Sequence, residues 1–150
     1  MDSKKKIPQK KELKVMPIVG DGKILVMEEK EPLRKMLSIM LELLGYESEL
    51  ARDGDEAIEL YKHAMVSGQP HNVVILDLTV NTGDGGEETI KKLLQIDPDV
   101  KAVNSSGNLY EAVMTDYKKY GFTAALPKPY MKKDLNDTLF KVLMGKSSDC

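Results

Sequence analysis

Two unbroken apolar runs, Ile24-Leu25-Val26-Met27 and Val73-Val74-Ile75-Leu76, constrain this chain more than anything else in it. A run of four apolar residues is too short to be a helix and has no polar face to offer water. Each therefore reads as a strand covered on both sides. The first is followed by Pro32, which suits the opening turn of a helix. Leu33, Met36, Leu37, Met40 and Leu44 then recur on one helical face until Gly45 stops it.

The same alternation continues along the chain. Tyr46 to Leu50 reads as a short strand, and Asp53 with Glu56 resembles a capping box opening a helix that turns Ala57, Leu60, Tyr61 and Ala64 inward. Gly68 and Pro70 end that helix before the run at Val73. A third helix carries Ile90, Leu93 and Leu94 and stops near Asp97-Pro98. Val100 to Val103 is the fourth strand, leading to Ser105-Ser106. Leu109, Ala112, Val113, Tyr117 and Tyr120 mark a fourth helix closed by Gly121. Thr123 to Leu126 is the fifth strand, and Met131, Leu135, Leu139 and Val142 mark the fifth helix. Five strands alternating with five helices predict an α/β fold, a doubly wound parallel sheet with helices on both faces.

With 150 residues there is room for one domain, and 41% hydrophobic against 31% charged residues favours a soluble, cored chain. Residues 1–22 read as a basic tail, 23–144 as the folded unit and 145–150 as a short C-terminal tail. Six Lys against Asp2 and Glu12 give the segment through Lys14 a charge of +4. The other 16 basic and 22 acidic residues leave the remainder at −6. So acidic a body is a poor nucleic-acid binder. No apolar run approaches the roughly 20 residues that span a bilayer, so no membrane partner is expected. The lone Cys150 offers no internal disulfide, which points to a reducing cytoplasm. His63 and His71 lack a second ligand at metal spacing and read as surface residues, and Met36 and Met40 read as core filler. Asn104 and Asn136 begin glycosylation sequons that carry little weight without a secretory signal.

In open parallel sheets, ligands bind beyond the carboxyl ends of the strands. The first strand runs into Glu28-Glu29, the third into Asp77, the fourth into Ser105-Ser106 and the fifth into Lys128. Converging carboxylates repel one another unless a counter-charge intervenes, and a hard divalent cation such as Mg²⁺ takes such oxygen ligands. A carboxylate at such a centre can also act as a nucleophile towards phosphorus. The Ser106 hydroxyl and the Lys128 ammonium are suited to phosphoryl oxygens.

The chain from Lys23 to about Leu143 resembles the receiver domain of two-component response regulators. The resemblance rests on Ile24-Leu25-Val26-Met27-Glu28-Glu29, Val73-Val74-Ile75-Leu76-Asp77-Leu78, Gly83-Asp84-Gly85-Gly86, Ser105-Ser106-Gly107 and Lys128-Pro129-Tyr130, five segments in order. It implies a flavodoxin-like (βα)5 fold of sheet order 2-1-3-4-5. It implies too that Asp77 accepts phosphate from a histidine kinase or a histidine phosphotransfer domain. Mg²⁺ would be held by Glu28, Glu29, Asp77 and the Thr79 main chain. Ser106 and Lys128 would match the switch hydroxyl and the lysine of the family, and Lys128-Pro129 would be cis. Catalysis, if any, would be self-directed phosphorylation and dephosphorylation. Residues 144–150 leave no room for a helix-turn-helix, so the expected output is protein contacts, a homodimer through the face of the fourth helix, fifth strand and fifth helix being one option, or the chain is a piece of a larger kinase. Receivers attached to hybrid histidine kinases look most similar.

Departures from the family pattern are specific. Both members of the acidic pair are Glu, Lys30 adds a positive charge beside them, Asn81 stands where Pro is common, and Ala125 replaces the aromatic that often reports phosphorylation. The Glu pair and Ala125 motivate an alternative, a receiver-like interaction module that works without phosphate. Other chemistries fit worse. Flavin binding wants a hydroxyl- and Gly-rich loop where Glu28-Glu29-Lys30-Glu31 stands, no nucleotide P-loop is present, and a haloacid-type phosphatase wants Asp at position 79, where Thr79 stands.

Overall fold

The computed structural model describes residues 22–77, 86–107 and 115–145. In chain order these form β1 (Lys23–Met27), α1 (Glu31–Leu43), β2 (Glu47–Ala51), α2 (Gly54–Ser67), β3 (Val73–Asp77), α3 (Gly86–Ile96) and β4 (Ala102–Ser106). A 3-10 turn (Tyr117–Tyr120), β5 (Ala124–Pro127) and α4 (Lys132–Leu143) complete the described part. The five strands make one parallel sheet, as the alternation implied, in the order β2-β1-β3-β4-β5 that the resemblance implied.

The apolar runs explain the layering. Successive side chains on a strand point to opposite faces. Leu25, Met27, Val74 and Leu76 pack with Ala57, Tyr61, Ile90 and Leu93 of α2 and α3. Ile24, Val26, Val73 and Ile75 pack with Leu37, Leu41, Leu135, Leu139 and Val142 of α1 and α4. One continuous run thus feeds two cores. Asp53 caps α2 by accepting from the Glu56 N–H at 3.0 Å, while the Glu56 carboxylate accepts from the N–H of Arg52 instead of that of Asp53.

Several details differ from the sequence reading. Met36 is 47% exposed and Leu41 fully buried, because the inward stripe of α1 runs through Leu37, Leu41 and Leu44. Met131 precedes α4 and lies exposed, its N–H bonded to the Asp134 carboxylate. The fourth strand lies later than Val100–Val103, so both serines are inside it and buried. Of the expected fourth helix, residues 108–114 lie outside the described residues, and Tyr117–Tyr120 form the 3-10 turn that Gly121 closes. The basic tail through residue 21 also lies outside them.

His71 is not a surface residue. Its side chain is fully buried, with Nε2 2.7 Å from the Glu49 carboxylate and its ring stacked 5.7 Å from Tyr61. His63 is exposed, as expected. Asn104 and Asn136 are both buried, so neither sequon is open to modification in the folded chain. Among the described residues, no helix is long and apolar enough to cross a membrane.

Candidate functional site

The parallel register brings the ends of the strands into one rim. Met27 pairs with Leu76, Asp77 with Ser105, and Ser106 with Pro127. Glu28 and Lys128, each one residue past these pairs, flank Asp77 from the two sides. Glu28 and Asp77 are each only 2% exposed, although they are carboxylates.

A single ammonium answers both. Lys128 Nζ donates to Glu28 Oε1 at 2.9 Å and to Asp77 Oδ2 at 3.1 Å. Its backbone N–H donates to the Ser106 carbonyl at 2.9 Å, and Lys128-Pro129 is cis, as the resemblance implied. Burial works against the Lys128 charge, but the bonds and charges of Glu28 and Asp77 outweigh it and hold its pKa above the ordinary value. Burial pushes the Glu28 carboxyl above the usual range; the bond from Lys128 opposes this and the neighbouring Asp77 adds to it. The Tyr130 phenol, chiefly through burial and then through the charge of Glu28, is also pushed up.

The β1–α1 connection is tied down at several atoms. The Glu28 N–H donates to Ala51, its Oε2 accepts from the Lys30 N–H at 3.2 Å, and Arg34 Nη1 donates to the carbonyls of both Glu28 and Glu29. Glu29 is partly exposed. Among the described residues, no three His, Cys, Asp or Glu side chains gather as a metal-binding group, so the pair brought together is Glu28 with Asp77. Thr79 and the Gly83-Asp84-Gly85 segment lie outside the described residues. Ser106 is fully buried in β4, and Ser105 is the serine in register with Asp77.

The sequence reading gave Arg34 no role. Its one signal was position: an arginine in the opening turns of α1, close enough to reach back to the residues leaving β1. Beside the rim, Leu33, Met36, Leu37, Pro129 and Tyr130, together with Glu28 and Lys128, line a mostly apolar cavity of about 150 Å³.

Residues 24–140 match the family model described as the response regulator receiver domain, and the chain belongs to that family. It is 28% identical over 121 residues to a chemotaxis protein CheY of Thermotoga maritima, covering 80% of this chain and 96% of that protein. It is also 28% identical over 138 residues to the sensor kinase CckA of Brucella abortus, covering 90% of this chain but only 14% of the kinase. Among solved structures, chemotaxis protein CheY4 of Vibrio cholerae superposes with a TM-score of 0.73 at 27% identity, over 81% of this chain and 98% of that one. A receiver domain protein of Clostridium thermocellum gives a TM-score of 0.73 at 20% identity, over 83% and 96%, which shows the shared fold. The sheet order 2-1-3-4-5 and the receiver family both agree with the sequence reading.

Proposed function

We propose that this receiver domain takes a phosphoryl group onto Asp77 from a phosphohistidine donor, a histidine kinase or a histidine phosphotransfer domain, and switches protein contacts in response. The observation that carries the reading is the buried Glu28–Lys128–Asp77 cluster at the sheet rim. An Asp77 oxygen bonds to phosphorus as the P–N bond to the donor imidazole breaks, its electron pair returning to that nitrogen. Lys128 lies within hydrogen-bond reach of Asp77 and balances charge on the transferred oxygens. Ser106, whose carbonyl anchors the Lys128 backbone, supplies the hydroxyl that follows the phosphoryl group.

The donor set fits Mg²⁺. Glu28 and Asp77 are hard oxygen ligands that together carry one more negative charge than Lys128 carries positive. Glu28 and Asp77 would hold the ion, with Glu29 and the Thr79 carbonyl as further ligands. When bound, the ion supplies charge neutralisation for the transferred phosphoryl group. The donor helix docks where Met36, Ile39 and Leu43 leave an exposed apolar stripe on α1, beside the cavity that Tyr130 lines. The same reading places the chain in the cytoplasm and gives its switch face, including α4 and β5, to homodimerisation.

The test is incubation with Mg²⁺ and acetyl phosphate, followed by intact mass, with Asp77→Asn alongside. Wild type is expected to gain one phosphoryl group and the variant none. Identical spectra for the two would leave the alternative, a receiver-like module that works without phosphate, which the paired Glu28-Glu29 and Ala125 favour.

A further inference from the structure

Both carbonyls leaving β1 are taken by one side chain. Arg34, near the start of α1, turns its guanidinium back so that Nη1 donates to the carbonyl oxygen of Glu28 at 2.7 Å and to that of Glu29 at 2.8 Å. One nitrogen carrying two hydrogens serves two adjacent acceptors, at distances typical of charge-assisted bonds. The Arg34 backbone N–H bonds the Lys30 carbonyl at 3.0 Å, so the loop and the helix start form one unit.

The placement bears on the acidic pair. A carbonyl held in one direction fixes the peptide plane it belongs to, and so the direction in which the neighbouring side chains leave the chain. Glutamate has one more rotatable bond than aspartate, so a Glu pair depends more on a fixed backbone to aim its carboxylates. Glu28 is also held through its N–H by Ala51 and through its carboxylate by Lys30 and Lys128. Arg34 adds the carbonyl side and extends the hold to Glu29.

We propose that Arg34 is a positioning residue for the phospho-acceptor site. It fixes the Glu28–Glu29 backbone so that the Glu28 carboxylate, which meets Asp77 at the rim, is aimed at a divalent cation there, and it acts through the two carbonyls. The inference rests on the reading of Asp77 as phospho-acceptor and of Glu28 as cation ligand. The role differs from that of Lys128, which bonds the carboxylates themselves.

The experiment uses the full chain and Arg34→Met, which keeps an apolar stem and has no donor. Mn²⁺ affinity is measured by calorimetry, and acetyl-phosphate labelling is followed by intact mass across a Mg²⁺ series. Second-layer partners of metal ligands are typically worth about tenfold to a hundredfold in metal affinity. Arg34→Met is therefore expected to weaken Mn²⁺ binding by at least about tenfold and to shift labelling to higher Mg²⁺, with the maximal rate kept. A purely structural arginine would lower thermal stability and leave the Mg²⁺ dependence in place. Wild-type Mn²⁺ affinity in Arg34→Met overturns the proposal, as does a loss of labelling that saturating Mg²⁺ does not restore. Should Arg34→Met fail to fold, Arg34→Gln serves: it keeps a polar end but no charge, and its amide nitrogen is two bonds nearer the backbone than Nη1, so wild-type affinity in it overturns the proposal equally. A wild-type chain that neither binds Mn²⁺ nor takes phosphate sinks the acceptor reading itself. An active wild type matched by its Arg34 variants sinks this inference alone.

Discussion

Lys128 and Glu28, a hundred positions apart in sequence, meet at 2.9 Å, and the same ammonium reaches Asp77 at 3.1 Å. Two carboxylates each 2% exposed repel one another side by side, and this cation offsets the repulsion. The longer reach of glutamate bears on the contact. Glu28 leaves β1, and Lys128 leaves β5 three strands away at roughly 5 Å per strand, so both side chains extend towards the middle of the rim.

Removing Lys128 takes the ammonium away from two buried carboxylates. Breaking a fully buried ion pair costs roughly 3–5 kcal/mol. The Lys128 side chain is 23% exposed, so Lys128→Met is expected to cost less, about 2 kcal/mol, when urea unfolding is followed near neutral pH without divalent ions. A Glu28→Gln, Lys128→Met double variant should lose less than the two single losses combined, since the first change removes one of the two carboxylates. Strict additivity would show that the two side chains do not interact in solution.

Lys128 also bears on signalling. If it engages the phosphoryl group, Lys128→Ala should uncouple labelling from response. Intact mass is expected to show substantial phosphorylation of Asp77, while the amide shifts of β5 and α4 on labelling shrink towards zero. Equal losses in both readouts would assign Lys128 to the transfer step alone.

Far from the rim, His71 sets a pH dependence. Burial pulls its pKa below the ordinary 6.5, against the opposing pull of Glu49, with Lys23 and Glu47 adding smaller effects. The folded chain thus binds this proton less well than the unfolded chain does. The stability contributed by neutral His71 is fully present above about pH 6.5 and is lost as pH falls through that value towards the depressed folded pKa. The urea midpoint of wild type should therefore drop more between about pH 7.5 and pH 5.5 than that of His71→Phe. Parallel profiles would rule out His71 as the source.

Leu41 and Met36 separate burial from pattern on a single helix. Leu41 is fully buried between α1 and the sheet, whereas Met36 is 47% exposed. Leu41→Ala is expected to cost about 2–5 kcal/mol and Met36→Ala within about 0.5 kcal/mol. In a binding assay with a phosphohistidine donor the order should reverse, with Met36→Ala the more damaging, because the α1 stripe is the docking surface proposed above. A donor affinity insensitive to Met36 would move the docking surface elsewhere.

These contrasts show where the sequence was legible. The runs at Ile24 and Val73 read as doubly covered strands, so the parallel sheet and its two layers followed from them and from the helices between, while the strand order came from the family resemblance. The rim residues were legible because a parallel sheet carries strand ends to one side, and Glu28, Asp77 and Lys128 do meet there. What stayed hidden depended on side-chain reach. Two overlapping apolar stripes on α1 differ by only a small rotation, which is how Met36 displaced Leu41 in the pattern. His71 gave no hint of burial because its partners Glu49 and Tyr61 come from other elements. Arg34 carried no signal in the sequence beyond its place on α1, because its role lies in bonds to the carbonyls of the β1–α1 loop.

The turn into β5 rests on Gly121, and it gives a two-part test. Its φ of +99° is in the left-handed region, and an added Cβ would lie 2.5 Å from Leu94 Cδ1. A left-handed residue with a Cβ costs roughly 1–2 kcal/mol, and the clash with Leu94 adds to it. Gly68, which ends α2 at φ +85°, has nothing within 4 Å of the same Cβ position. Gly68→Ala should therefore show the backbone cost alone, about 1 kcal/mol, and Gly121→Ala about 2–4 kcal/mol. Trimming the neighbour separates the two contributions: in a Leu94→Ala background, the penalty of Gly121→Ala should fall to that of Gly68→Ala. Thermal unfolding of the four variants reads this out, and a Gly121→Ala penalty unchanged by Leu94→Ala would place the whole cost in the backbone.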